Sequence, residues 1–378
     1  MNTTAVTGRT TRRTARFTTF TGVAAAAALL LSACGGGGGG EAPEVDLGEG
    51  PAKAGTVKEG ALEGVTMTFS SYGGIYQDAQ ASSFAKFPDE SGATILQDGP
   101  MEYSKIQAQV ESNNVTWDVV DVDATWGASH CGTMLQPVDK EVVDTSGMPE
   151  GTVGDCYVPA MEYANVVVYN TEQLDTAPTG WEDFFDTQKF PGKRAVNGSD
   201  VGPIIEGALL ADGVAPDEMY PLDMDRALAK LDTIKDDIVF WETGAQSQQM
   251  LESEEVAMGV VWNGRGMSAV KNDAPYEPLW EASVSAMDVL GVPVNAKNPK
   301  AAWALINYMV GPEQQTIMAE ESSYAVIHSD AEPELDEITE KFNTANPENA
   351  DKIFRTDFAW WGENYSTLLD QYLAWVQS

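Results

Sequence analysis

A two-lobed α/β fold is predicted for this chain by three observations. Short β-branched runs alternate with helical patterns from residue 65 onward, the signature of strands covered by helices. At 378 residues the chain is long for one domain and comfortable for two. Hydrophobic residues make up 43% of it and include ten Trp, enough for sizeable cores, and no internal repeat is visible.

The first 33 residues stand apart from that fold. Arg9, Arg12, Arg13 and Arg16 form a basic region without an acid, residues 23–31 are apolar, and Ser32-Ala33 are small. This is the layout of a signal peptide over residues 1–33. Leu31-Ser32-Ala33-Cys34 resembles the lipobox of bacterial lipoproteins, in which cleavage before the cysteine precedes its lipidation. A secretory signal with an unrelated cysteine is the alternative, and Arg12-Arg13 leaves Sec and twin-arginine export both open. Residues 34–61 read as the lipidated Cys34 and a glycine-rich tether without apolar periodicity. A flexible coil of that length reaches roughly 25–30 Å.

Loss of the signal would remove four of the 22 basic residues and no acid, taking the net charge from −36 to −40. Such a surface repels phosphate and excludes nucleic acid as a partner. It would steer a cationic ligand, although solubility or salt adaptation explains it equally well. Cys131 and Cys156 remain as an even pair in an exported protein, which predicts a disulfide. On the chain-entropy model it contributes roughly 3–4 kcal/mol. A metal site using His130 is the rival and lacks a second ligand pair, so no metal and no cofactor are expected.

The structural units then follow in order. Residues 65–70 alternate as a strand, Gly73-Gly74 makes a turn after Tyr72, and a helical pattern begins at Ile75. The two glycines permit close approach to a ligand, or simply a tight turn. They lack the Lys-Ser/Thr of a phosphate loop. A short strand at 93–97 and a helix at 101–112 lead to a strand at 117–123, which closes on Asp123 and Trp126. Residues 163–170 are a strongly apolar strand. Asp200 opens a helix through Leu210, either as its cap or facing a cleft. After a helix at 222–235, a strand at 238–241 and a helix at 246–251 comes a strand at 256–262. It stops at a predicted turn, Asn263-Gly264, with Trp262 and Arg265 where it runs out. In open α/β sheets ligands sit just beyond such carboxyl ends. A strand at 287–292, helices at 298–310 and 313–320, and a charged helix-rich tail ending at 368–376 complete the chain. Mainly parallel sheets are expected.

No catalytic set can be assembled. The two histidines lie apart, and no G-x-S-x-G, H-E-x-x-H or Walker-type run occurs. Carboxylates abound without a spacing that points to glycoside hydrolysis. A ligand-capture protein whose lobes close by a hinge fits better than an enzyme, and an exported α/β hydrolase is the distant alternative.

Val260-Val261-Trp262-Asn263-Gly264 carries a resemblance, as does Met287-Asp288-Val289-Leu290-Gly291-Val292-Pro293-Val294-Asn295-Ala296-Lys297-Asn298, continued by Ala304-Leu305-Ile306-Asn307-Tyr308. These runs are similar to those of the polyamine-type solute-binding proteins of ABC importers, the group of spermidine/putrescine-binding proteins. The resemblance spans most of residues 62–330. It implies a type II periplasmic-binding-protein-like fold, with crossing strands near residues 166–169 and around Asp288. Lobe 1 would be 62–167 plus 287–332, and lobe 2 would be 168–286 plus 333–378. It implies a monomer, held by lipid at the outer face of a bacterial membrane, that delivers a small amine to ABC permease subunits.

Residue by residue, the resemblance implies that Trp262 stacks on the ligand's alkyl-amine chain and Asp288 binds an amine at mid-cleft. Tyr324 and Tyr72 would contact ligand, Asp123 and Trp126 would supply a polar and aromatic pair, and Asp200 would hold a terminal amine. An ammonium over an aromatic face gains about 0.5–2 kcal/mol, and a buried one needs carboxylate partners. Three departures stand out: Ala286 replaces a family tryptophan, Pro203 stands where a second acid is expected, and Arg265 adds a cation. Arg265 would repel a polyamine and could hold a carboxylate bidentately. A zwitterion such as γ-aminobutyrate, or another amino acid-like solute, is therefore the rival ligand.

Overall fold

The computed structural model describes residues 45–378 apart from residue 323. The signal segment, the lipobox-like run with Cys34 and the six-glycine tract lie outside the described residues. Of the stretch 34–61 expected as a tether, the described residues 45–61 make contacts with each other and with the fold. Ala54 and Leu62 are buried, the Gly55 amide donates to the Asn307 carbonyl, and Lys58 pairs with Asp46 at 2.5 Å. The polar composition of this stretch hid one small apolar anchor, Ala54, and a backbone group that docks on a neighbouring helix.

Among the described residues eight strands make one mixed sheet: β1 (Thr66–Ser70), β2 (Thr94–Asp98), β3 (Val119–Asp123), β4 (Val158–Asn170), β5 (Arg194–Asn197), β6 (Ile238–Trp241), β7 (Met258–Trp262) and β8 (Tyr276–Gly291). Their spatial order is β2-β1-β3-β8-β4-β7-β5-β6. The outer strands of each half are parallel, as expected, but β3–β8, β8–β4 and β4–β7 are antiparallel. The expectation of mainly parallel sheets therefore holds only away from the centre. The long strands β4 and β8 serve both halves, and they enter each half against the direction of the strands already there. β8 pairs β3 through Asp288–Gly291 registers, whereas β4 pairs β7 from Asn165 to Tyr169. Their mutual register breaks between Val166 and Val167.

Among the described residues fourteen α-helices cover the sheet. In the first half they are α1 (Gly74–Ser83), α2 (Phe87–Ser91), α3 (Tyr103–Glu111) and α4 (Ala124–Ser129). Next come α5 (Trp181–Phe185), α6 (Ile204–Ala211), α7 (Met224–Asp232), α8 (Gly244–Glu252) and α9 (Asn263–Lys271). The rest are α10 (Pro299–Met309), α11 (Pro312–Ser322), α12 (Glu337–Lys341), α13 (Pro347–Ala350) and α14 (Phe358–Val376). None of the described helices is long and apolar enough to cross a membrane.

Three differences from the sequence reading have physical causes. Asn263-Gly264 is no turn: helix α9 starts there, directly on the end of β7. Glycine costs a helix about 1 kcal/mol, yet here it is needed. A Cβ on Gly264 would lie 2.5 Å from the Tyr324 ring, and one on Gly266 2.9 Å from the Phe342 ring. β8 begins eleven residues before the expected strand, because pairing with β4 holds Glu277 and Pro278 in a ladder their local propensity disfavours. The charged tail conceals α14, whose face Trp361, Tyr365, Leu368, Tyr372 and Trp375 is buried at helical spacing. It packs across α4 and α7, with Gly362 flush against Ala128.

The predicted disulfide joins Cys131 to Cys156. His130 takes no part in a metal cluster: its ring stacks on Trp126 at 4.2 Å, and its Nδ1 bonds Ser129 Oγ at 2.7 Å. Among the described residues no three His, Cys, Asp or Glu side chains converge as metal ligands.

Candidate functional site

The carboxyl ends of β1, β3, β5, β6 and β7 meet at one cleft of about 570 Å³. Each strand delivers a different chemistry there. After β1 the chain turns through Tyr72 and Gly73 into α1. At the end of β3, Asp123 caps α4, its Oδ1 accepting from the Thr125 amide at 2.8 Å. At the end of β5, Asn197 Oδ1 accepts from the Ser199 and Asp200 amides at 2.9 and 3.2 Å, an Asx turn that aims Asp200. After β6, a Thr243–Gln246 capping box starts α8 and brings Gly244 against Trp262.

Asp200 is not a helix cap. Its Oδ1 accepts from Tyr365 Oη at 2.9 Å, and α6 begins at Ile204 without a side-chain cap. Tyr72, Asp123, Asp200, Trp262, Arg265, Asp288 and Tyr324 all line the cleft. Trp126 does not. It stacks behind Tyr103 at 4.8 Å and 8°, so its part is to hold that tyrosine against the cleft. Burying so large a ring between Tyr103 and His130 outweighed exposing it.

The walls are aromatic. The Trp262 indole is held edge-on by Tyr72, Tyr163 and Trp241, with centroids 5.8, 6.4 and 5.4 Å away. Tyr72 and Tyr103 share a hydroxyl–hydroxyl bond of 2.9 Å, and the Asp123 amide donates to Tyr72 Oη at 3.0 Å. Tyr103, Tyr163, Tyr365 and Glu206 also line the cleft and were missed in the sequence. Tyr103 begins an ordinary polar helix, Tyr163 sits in what reads as a core strand, and Tyr365 lies in the tail. Only the strand alternation Tyr163-Asn165 could have signalled one of them.

Carboxylates crowd the floor. Asp123 on β3 lies directly opposite Asp288 on β8, a like-charge cross-strand pair that disfavours ionisation of both. Burial, and then the neighbouring Asp121 and Asp123, push the Asp288 carboxyl well above the usual range. Burial also raises Asp121, although Tyr76 Oη donates to it at 2.7 Å and Gln80 donates as well. Asp200 is pushed up to about 6, first by burial and then by Asp123. Asp123 is raised by burial and held partly down by Thr125.

Among the described residues lining the cleft, Arg265 is the one cation. Arg265 is 4% exposed, and its Nη2 donates to the Gly73 carbonyl at 2.9 Å. Its Nε has no partner, and the guanidinium makes no ion pair among the described residues. Gly74 and Gly244 make room for it: a Cβ on either would lie 2.5 or 2.6 Å from its nitrogens. Gly74 also adopts φ +60°, which glycine tolerates. A buried guanidinium short of acceptors, in one cleft with buried carboxylates short of cations, can receive both ends of a zwitterion.

Comparison with known proteins agrees with a binding cleft. Residues 83–348 match the family model described as bacterial extracellular solute-binding protein. A γ-aminobutyric acid-binding protein of Pseudomonas aeruginosa is 28% identical over 320 residues, covering 82% of this chain and 91% of that protein. The spermidine/putrescine-binding periplasmic protein of Escherichia coli is 24% identical over 202 residues, covering 50% and 57%. A structure of the Atu4243–GABA receptor superposes with a TM-score of 0.74 at 38% identity, covering 82% of this chain and 97% of that one.

Proposed function

The chain belongs to the bacterial extracellular solute-binding protein family, which serves ABC importers by binding rather than catalysis, and from that premise we propose that its cargo is an ω-amino acid of the γ-aminobutyrate class. The hydrolase alternative is thereby set aside. The observation that carries the ligand class is the buried Arg265, without a carboxylate partner, in the same cleft as Asp123, Asp200 and Asp288. In this reading the ligand carboxylate docks on the guanidinium and its ammonium on the carboxylates, with Trp262 covering the methylenes. The two γ-aminobutyrate-binding relatives support it. The polyamine reading draws on the excess of acids and on the spermidine/putrescine-binding relative, but it leaves Arg265 facing a cation.

We further propose that the halves of the sheet are lobes of 62–167 plus 287–332 and 168–286 plus 333–378, closing about β4 and β8 near the register break at Val166/Val167. Lipid attachment at Cys34 would keep the protein at the membrane beside its permease. Cys34→Ala is expected to move it from the membrane fraction to the soluble fraction, and continued sedimentation with membranes would refute that anchor.

A thermal-shift panel of γ-aminobutyrate, putrescine, spermidine, arginine and maltose tests the cargo, since ligands that bind the native state raise its melting temperature. γ-Aminobutyrate is expected to shift it more than putrescine, spermidine or maltose. A shift by spermidine with none by γ-aminobutyrate would reinstate the polyamine, and a shift by maltose alone would defeat both.

Two further outcomes follow from the geometry. Gly244→Ala presses on both Arg265 and Trp262, and overpacking of this kind costs roughly 1–3 kcal/mol, so binding should weaken about ten-fold. Calorimetric titration returning an unchanged Kd would show the guanidinium free to move. The second concerns pH. Asp200 and its neighbours have folded pKa values raised above the unfolded ones, so the ligand-free fold gains stability as pH falls through about 6 towards the ordinary carboxylate range. An ammonium needs them ionised, so affinity should fall over the same window. Melting curves from pH 7.5 to 5, with and without γ-aminobutyrate, should therefore converge; parallel curves would contradict the pairing.

A further inference from the structure

We infer that Glu206 forms a second cation subsite on the α6–α14 wall of the cleft. The cargo held most tightly is then an extended carboxylate bearing two cationic nitrogens. This rests on the proposed seating of a carboxylate at Arg265 and adds a second positive group to the ligand.

Glu206 lines the cleft and is 1% exposed. Its Oε1 accepts from Trp361 Nε1 at 2.7 Å and from Tyr220 Oη at 2.9 Å, while its Oε2 is buried with no partner. As a tie between α6, α14 and the Tyr220 loop, the side chain needs only Oε1. A glutamine would serve those two donors without burying a charge, and an unsatisfied buried carboxylate oxygen is costly. Burial pushes its carboxyl above the ordinary range, and the two donors offset that only in part. An ammonium or guanidinium delivered through the cleft would complete it.

Placement agrees with a linear ligand. Tyr365 holds Asp200, and Trp361, one helical turn earlier on the same face of α14, holds Glu206. Positions four apart rise about 6 Å along a helix, close to the span between the nitrogens of a four-carbon diamine. Arg265 has other neighbours, Gly73, Gly74 and Gly244, so a carboxylate there leaves the Asp200–Glu206 wall for cations. The volume points the same way. A cleft of about 570 Å³ has room for a ligand longer than γ-aminobutyrate with its about seven non-hydrogen atoms.

The test is calorimetric titration of the purified full-length protein with γ-aminobutyrate and with N-(4-aminobutyl)-β-alanine, which has one carboxylate and two amines. The wild type is expected to bind the dibasic acid at least ten-fold more tightly. Glu206→Gln, which keeps an acceptor for Trp361 and Tyr220, should bring the ratio of the two constants to within about two-fold. If γ-aminobutyrate binds the wild type and the ratio is already near one, or if the ratio survives in Glu206→Gln, the subsite is overturned while the zwitterion reading stands. If neither carboxylate binds and spermidine does, both fall. The wild-type ratio needs no variant and carries the test should Glu206→Gln not fold.

Discussion

Arg265→Met is expected to weaken γ-aminobutyrate binding by about two orders of magnitude or more, because truncating one member of a buried charge pair costs roughly 2–5 kcal/mol. The methionine fills much of the same space between Gly74 and Gly244 and keeps Trp262 in place, so lost packing does not account for the effect. Its second consequence is a change of preference. With the cation gone, Asp123, Asp200 and Asp288 face an uncompensated cleft, and putrescine or spermidine should gain relative to γ-aminobutyrate. Titration of the variant with both ligand types reads the two effects together. Retained γ-aminobutyrate affinity would remove Arg265 from the ligand's carboxylate and leave its burial without a functional account.

Asp288→Asn is expected to act in opposite directions on stability and affinity. In the ligand-free protein the carboxyl is buried beside Asp121 and Asp123, which hold its pKa well up, so a neutral amide relieves both desolvation and repulsion. The melting temperature without ligand should rise. With ligand, the ammonium loses a charged partner, and affinity should drop about 30-fold or more for a buried, hydrogen-bonded pair. A residue kept only for the fold would not divide its effects in this way. Lower stability with unchanged affinity would assign Asp288 a structural part alone. Such opposition is expected where a site stores unpaired charge for its ligand.

Local sequence carried the strand ends well, for a physical reason. A strand that stops at the ligand edge of an α/β sheet leaves its last side chains beyond the layer of helices, and Asp123 and Trp262 are such residues. Asp288 and Arg265 lay in or beside matched runs, so they too could be named from the chain. Trp126 could not be placed this way. One residue after Thr125, which lines the cleft, helix α4 rotates a side chain by about 100°, and the Trp126 ring turned behind Tyr103 instead of towards the cleft. Tyr163, Tyr365 and Glu206 come from β4, α14 and α6, whose local patterns are those of core strand, surface tail and buried helix.

What the sequence determined by itself is the alternation of strands and helices, the pair Cys131–Cys156, the absence of a recognisable catalytic set, and a cleft built from acids and aromatics. The first three follow from periodicity, spacing and residue chemistry, which are local, whereas the cleft residues rest in part on the resemblance of the runs around Trp262 and Asp288. Tertiary structure decided that β4 and β8 run through both halves of the sheet and that α9 replaces a turn. It also decided that α14 brings Tyr365 and Trp361 to Asp200 and Glu206, and that Arg265 lies buried beside Gly73 without an acid. Each depends on partners far apart in the chain, and local propensities of about a kcal/mol yield to the burial and hydrogen bonding those partners supply. The charge of Arg265 could be read from the chain; its want of an acid partner among the described residues is a property of the packed cleft.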